Sequence, residues 1–591
     1  MSTAPTYRLV RRDVEQAVAP QLDPTQQAVV DHDRGPLLVL AGPGTGKTTT
    51  LVEAVVERVR QGAAPDDVLV LTFSRKAAEE LRSRIAGRLG RTVVEPAAST
   101  FHSFCLQVLR GYGVPPGDAL PRLLSGAERE LRVRELLAGN AAGQGRTTWP
   151  DHLRAALPLR GFAREVCDVL DRAGERGLDP AAVRALGQQH GQLSWVAAAE
   201  FMTEYLEVLS LRNEVDYAGL VDRAVRLLRG PAAELRSRYA AVYVDEYQDT
   251  DPSQEELLRL LAGGGRLLVA VGDPDQSIYG FRGADVRGII EFPDRFRTVT
   301  DEPAPVTALR VCRRSGPELV ALSRAVASRL PLGELTPRRE LHRGLEPAGP
   351  PGPTPEIRLF SSVSSEVGGI ADLLRRAHLL EGIAWSRMAV LVRSGVRSIS
   401  TVRRALVSAG IPVSVAADEL PLSRDPAVAP LLRALEVVAE RLRATRLGRE
   451  PTAVSPEIAR LLLTSPLAGG SPAQLRALGR RLREIDRDLA GGLARPSATL
   501  IADAVGEPSV LGVVEDWIAA PVVRLTRLLA AAEEIGSSGG SPAEVLWALW
   551  DGSDWARRLA FAATSPSAAG CAANPDLDAV LSLFDIANRL E

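Results

Sequence analysis

Lysine is almost missing from this 591-residue chain. Only Lys47 and Lys76 occur among 71 basic residues, and the rest are arginine. An alanine-, glycine- and proline-rich background points to codon bias. Against it, the two surviving ammonium groups mark places that need a compact charge on a flexible stem. Cysteine is scarce too. Cys105, Cys167, Cys312 and Cys571 have neither CxxC nor metal-ligand spacing, which excludes a local zinc motif and suits a reducing, cytoplasmic compartment. No apolar run approaches the ~18–20 residues of a membrane span. Met1 to Arg12 lacks the apolar core of a secretory signal. Neither sign of charge dominates: 71 basic and 73 acidic residues leave a net charge of −2. Any polyanion must therefore be met by local basic patches. What is present is a globular composition, 45% hydrophobic and 24% charged, at a length that predicts about three to five domains.

Short apolar runs alternate with helical stretches near the start. Pro36–Leu40 and Val68–Phe73 read as buried strands, and Thr48–Arg60 and Lys76–Gly90 as helices. This is the rhythm of a doubly wound parallel sheet. Residues 108–219 read as an all-helical insertion, with a capping box at Ser125 and Glu128. Strands return at Ala241–Val244, Leu267–Val271 and Val306–Leu309. The Pro/Gly-rich stretch Glu346–Pro355 predicts an exposed loop. A second α/β unit is expected beyond it, with strands at Ile357–Phe360, Met388–Val392 and Pro412–Val415. From Asp425 the pattern is helical. Ser455-Pro456, Ser471-Pro472 and Ser541-Pro542 mark helix starts.

The chemistry-bearing residues fall at predicted strand ends. Ala41, Gly42, Pro43, Gly44, Thr45, Gly46, Lys47, Thr48 and Thr49 follow one strand and open a helix, the context a phosphate-binding loop requires. Small residues let backbone N–H groups wrap phosphates at a helix N-terminus. Lys47 would reach the β- and γ-phosphate oxygens, and Thr48 would bind Mg²⁺. Asp245 and Glu246 end a second strand, where Asp245 can join the Mg²⁺ shell and Glu246 can orient or deprotonate water. After a third strand, Gln276 is placed to hydrogen-bond a γ-phosphate, and Tyr279, Phe281 and Arg282 follow within six residues. Phe73 and Lys76, and Thr100 with Phe101 and His102, set aromatic rings beside hydroxyl and basic groups. That mixture suits single-stranded nucleic acid, where stacking contributes ~1–3 kcal/mol per base. For Phe281 an ordinary core position is as good a reading. His102 has no second histidine at ligand spacing, so no zinc site is expected.

Taken together and in order, AGPGTGKT, TFSRKAAEELRSR, TFHSF, VDEYQDT and VGDPDQSIYGFRGA resemble the UvrD/Rep/PcrA group of superfamily 1A DNA helicases. The likeness runs from Leu22 to at least Val428. It implies an α/β fold: a RecA-like domain 1A (14–107 and 220–299) with an all-α insertion 1B (108–219). A partial second RecA-like domain 2A (300–425) would follow, with a second all-α insertion 2B (426–591). It implies Gln26 on the adenine, Arg314 on the γ-phosphate, and Phe73, Tyr279 and Phe281 on the strand. Arg313 stands where the group usually has a tyrosine stacked on adenine. ATP and Mg²⁺ are the implied cofactors. Single-stranded DNA and duplex/single-strand junctions are the implied partners, with 3′→5′ movement.

Within the group, the Arg-rich, Lys-poor style and LLLTSPLAGG resemble the AdnA subunit of the actinobacterial AdnAB helicase–nuclease, which implies a paralogous helicase–nuclease subunit as partner. No TVHxAKGLEW-like or YVALTRA-like run, which the group carries after 2B, occurs in the chain. The sequence therefore reads as C-terminally truncated, without a nuclease domain and with weak hydrolysis expected of this chain alone. Rival readings stay open: a P-loop subunit that uses ATP only to hold a partner, or a helicase-like subunit of a break-resection complex without motor activity of its own. A nucleotide kinase fits poorly, having no use for Phe73, Phe101 and Phe281 at strand ends. Composition does not separate DNA from RNA.

Overall fold

The computed structural model describes residues 19–89, 98–113, 119–280, 285–330, 341–415, 422–490, 494–564 and 568–588. They form two compact units, 1–357 and 358–591.

The first unit is built on a six-stranded, all-parallel sheet. In chain order its strands are β1 (Pro36–Ala41), β2 (Val68–Thr72), β3 (Ala98–Thr100), β6 (Ala241–Val244), β7 (Leu268–Gly272) and β8 (Val306–Leu309), arranged β3-β2-β6-β7-β1-β8. The numbering skips two short strands of the insertion, β4 (Arg122–Leu123) and β5 (Glu214–Val215), which pair with each other. Both faces of the sheet are covered, so its strands read as unbroken apolar runs. Successive side chains still alternate. Leu38, Leu40, Leu268 and Ala270 pack on one side with Phe101, Phe104 and Leu258. Leu37, Val39, Val269 and Val271 pack on the other with Leu51, Val55 and Leu81. The second layer comes from α1 (Pro24–Val30), α2 (Lys47–Arg60) and α3 (Arg75–Leu89); α4 (Phe101–Tyr112) lies on the first. Parallel pairing brings every strand's carboxyl end to one edge, where ligands of such sheets bind.

The insertion is helical, with its own core of Trp149, Phe201, Tyr205 and Leu137. Its capping box forms in full: Ser125 and Glu128 each accept the other's backbone N–H. Past β8, β9 (Val311–Cys312) pairs in parallel with β10 (Glu346–Pro347), so the expected Pro/Gly-rich loop begins as a short strand.

The second unit is mostly helical around Leu431, Val438, Leu462, Val522 and Leu546. Ser455, Ser471 and Ser541 each accept the N–H three residues on, as their Ser-Pro pairs predict. The strands expected at Ile357–Phe360, Met388–Val392 and Pro412–Val415 do not form. These stretches are irregular before, between and after helices Val363–Glu381 and Gly395–Ser408. A strand needs a neighbour for its ladder, and no described residues supply one here. Leu359 and Leu391 are 94% and 95% exposed. Among the described residues no helix is long and apolar enough to cross a membrane.

Candidate active site

The loop from Gly42 to Gly46 joins β1 to α2 at the sheet's carboxyl edge. Gly44 (φ 74°) and Gly46 (φ 89°) take left-handed backbone that L side chains avoid. At Gly44 an added Cβ would also come 2.6 Å from Arg314 Cβ and 3.0 Å from Cys312 Sγ. Thr45 closes the turn by donating its hydroxyl to Gly42 O at 2.8 Å. Lys47 opens α2. Its Nζ is buried, has no hydrogen-bond partner, and lies 3.9 Å from Glu246 Oε2. An ammonium held dry and unbonded is costly unless an anion arrives. A positively charged helix start under left-handed glycines is the cradle a triphosphate fills.

Two carboxylates stand opposite. Asp245 follows β6 and is 4% exposed. Burial first, then the neighbouring Glu246, push its carboxyl up to about 7. Glu246 sits at φ 52°, a costly conformation for a side chain of its size. The buried Gln248 ties two loops together. Its amide donates to Glu246 Oε2 at 2.8 Å and its carbonyl accepts from Asp273 N at 3.0 Å. At Gly272 an added Cβ would come 2.6 Å from Gln248 Oε1 and 2.7 Å from Ile289 Cδ1, so a side chain there would displace the bridge. Asp245 and the Thr48 hydroxyl are the groups that would hold Mg²⁺, which would neutralise phosphate charge.

Gln276 closes the short turn after β7, its amide bonded to Asp273 Oδ2 at 2.5 Å. A cavity of about 380 Å³ lies where this turn and Gly42–Pro43 meet the helix Pro317–Ala327 and the segment from His342 to Leu345. Ala41 is buried in β1 and Pro43 is exposed.

Several expected ligand contacts are engaged elsewhere. Gln26 is 2% exposed. Its amide donates to Thr45 O and Thr50 Oγ1, both at 3.1 Å, and its carbonyl accepts from Asp23 N. The α1 capping box thus turns Gln26 inward, as a brace under the phosphate loop. Arg313 is ion-paired to Asp23 at 2.9 Å and donates its backbone N–H to Gly44 O. Arg314 beside it is exposed. The Thr49 hydroxyl accepts from Arg84 of α3.

Farther along the edge, Phe73 and Tyr279 meet in a stacked pair, centroids 4.4 Å apart and planes at 27°. Lys76 is exposed on the first turn of α3. Thr100 caps α4, its hydroxyl accepting from Ser103 N, and is buried. His102 packs edge-on against Tyr217 at 5.0 Å. Burial, then Arg75, hold its ring down to about 4, so it is a neutral surface at pH 7. Phe101 belongs to the core at 2% exposure. Phe281 and Arg282 lie outside the described residues. Sequence reasoning missed Gln248 as the bridge, and His342 and Arg343 against Asp275. Gln248 lay inside a recognised run, whereas nothing in the sequence signalled the other two.

The model of the UvrD/REP helicase N-terminal domain matches residues 22–297. The ATP-dependent DNA helicase UvrD2 of Mycobacterium tuberculosis is 30% identical over 516 residues, covering 82% of this chain and 67% of that protein. The chain belongs to the UvrD/REP helicase family. UvrD1 of the same organism is 32% identical over 296 residues, covering 46% of this chain and 35% of UvrD1. PcrA of Staphylococcus epidermidis is 27% identical over 285 residues, covering 47% and 37%. As a UvrD/REP family member the chain is an ATP-dependent DNA helicase homologue. Its phosphate loop, the Asp245–Glu246 pair and the Phe73–Tyr279 stack all lie within the matched span.

Proposed function

We propose that this chain uses ATP to move along single-stranded DNA, 3′→5′, and to open duplex at a single-strand junction during repair or recombination. The observation that carries this reading is the Phe73–Tyr279 stack. Tyr279 lies three residues from Gln276, and Phe73 follows the strand beside β6. Rings that grip a base are thus on loops continuous with the groups that meet a γ-phosphate. Lys47 and Arg314 would neutralise the phosphate, Glu246 would orient the attacking water, and the shift of Gln276 would be felt at Tyr279. Tyr279→Ala should weaken single-strand binding and single-strand stimulation of ATP turnover about tenfold. Turnover indifferent to DNA in the parent protein would overturn the motor.

Duplex contact would come from a local basic patch. On the helix Pro472–Ala490, Arg476, Arg480, Arg483 and Arg487 are exposed and share one face, with no ion pair among the described residues. Replacing Arg480 and Arg483 by Gln should weaken junction binding and flatten the slope of log Kd against log salt by about two.

A second reading is favoured by the exposure of Leu359 and Leu391. Apolar side chains left on the surface suit an ATP-holding subunit that works with a paralogous helicase–nuclease in break resection. In that case ATP strengthens association with the partner while turnover stays slow with or without DNA.

A further inference from the structure

The loop after β7 faces a segment that no family motif covers. Asp275 accepts from Arg343 Nε at 2.7 Å and Nη2 at 2.6 Å, a bidentate pair. His342 Nε2 lies 3.1 Å from Asp275 Oδ2 and 3.6 Å from Asp273 Oδ1. His342 is 2% exposed, and its Nδ1 is buried without a partner. The ring is therefore held by its Nε2 side alone. Asp273 is contested, since Oδ1 also accepts from Asp275 N at 3.0 Å and Oδ2 accepts from Gln276. A cation is not what this cluster asks for. Arg343 already neutralises Asp275, and Gln276 engages Asp273.

The same segment closes over the phosphate loop. At Gly42 an added Cβ would come 2.6 Å from Leu345 Cδ2 and 3.1 Å from His342 O. Residue 345 leads into β10, β10 pairs with β9, and β9 delivers Arg313 and Arg314 to Gly44. A continuous path thus joins Gln276, Asp273, His342 and the arginine strand.

We propose that His342 and Arg343 are positioning residues, a polar latch that makes the closure of the arginine strand over the phosphate loop depend on where Gln276 bonds. The proposal rests on Gln276 as the γ-phosphate sensor. When Gln276 turns to a γ-phosphate, Asp273 Oδ2 loses its side-chain donor while Oδ1 keeps the Asp275 N–H, and the Nε2–H of His342, 3.6 Å from Oδ1, is placed to share in neutralising the carboxylate. His342 then bridges both carboxylates and holds Leu345 and the β9–β10 pair more firmly against Gly42 and Gly44, where they already rest. With a diphosphate, Gln276 returns to Asp273 and His342 rests on Asp275 alone.

The test measures Kd for ADP and for ATPγS, each with Mg²⁺, on the full chain. The parent should prefer ATPγS. His342→Phe and Arg343→Met should weaken ATPγS about tenfold and leave ADP within about twofold. His342→Gln, which restores an amide donor near Nε2, should keep the preference. Arg343→Lys, which keeps the charge and loses one bond, should fall between, and serves if the apolar variants do not fold. An unchanged preference in Arg343→Met and Arg343→Lys overturns the latch. So does equal loss for both nucleotides, the mark of a merely structural wall. Gln276→Ala separates the two levels. If it keeps the preference, the sensor reading fails. If it loses the preference while the latch variants do not, the latch alone fails.

Discussion

Lys47→Ala lowers ATP turnover about a thousandfold, the scale set by removing one charge-matched donor from a transferring phosphoryl group. That corresponds to about 4 kcal/mol of transition-state stabilisation. The nucleotide-free fold survives, because the ammonium has no hydrogen bond to lose. Its melting temperature stays near the parent's, while the rise that saturating ATP gives the parent is lost. Lys47→Arg does not rescue. A planar guanidinium is wider than the ammonium and would meet Glu246, 3.9 Å away. Binding to single-stranded DNA persists in part, since Phe73 and Tyr279 stack on each other without touching this group. Turnover within tenfold of the parent would remove Lys47 from the site, whatever the family.

The contrast between Lys47 and His342 says what the sequence could reveal. Lys47 announces itself because a phosphate loop needs a local order of residues: strand, glycines, lysine, helix. Asp245 and Gln276 likewise sit at the ends of apolar strands, and parallel pairing brings those ends together. The first sheet was legible for the same reason, since each strand is an apolar run that the sheet buries on both faces. His342 and Arg343 act across 67 and 68 residues of separation from Asp275, and nothing local marks them. Gln26 is a different case: the resemblance implied it on adenine, and the capping box holds its amide against the phosphate loop. The expected second set of strands failed because an apolar run becomes a strand only beside a partner, and the described chain offers none to Leu359 or Leu391.

Glu175→Gln stabilises the protein, and does so increasingly as pH rises. Glu175 ends the insertion helix Arg160–Glu175. Burial first, then Asp171 and Asp251, push its carboxyl up to about 8 from 4.5, against weaker pulls from Arg172 and Arg129. The ion pair with Arg172 is loose, 3.6 Å, and its Oε2 makes no hydrogen bond. Below pH 4.5 the group is protonated whether the chain is folded or not and contributes nothing. Between 4.5 and about 8 the unfolded chain has released this proton and the folded one has not, so stability falls with pH. Above about 8 the whole cost is present. Glutamine keeps the shape and cannot ionise. The melting temperatures of parent and variant should therefore be close at pH 5 and separate by several degrees at pH 8.5. The neighbourhood makes this more than a matter of stability. Arg172, one turn earlier, donates to Gly280 O, next to Tyr279. A charge appearing on Glu175 competes for that guanidinium, so single-strand affinity should fall with rising pH in the parent and less steeply in the variant. Equal melting temperatures at both pH values would mean that water reaches Glu175 and that the junction between insertion and sheet is open.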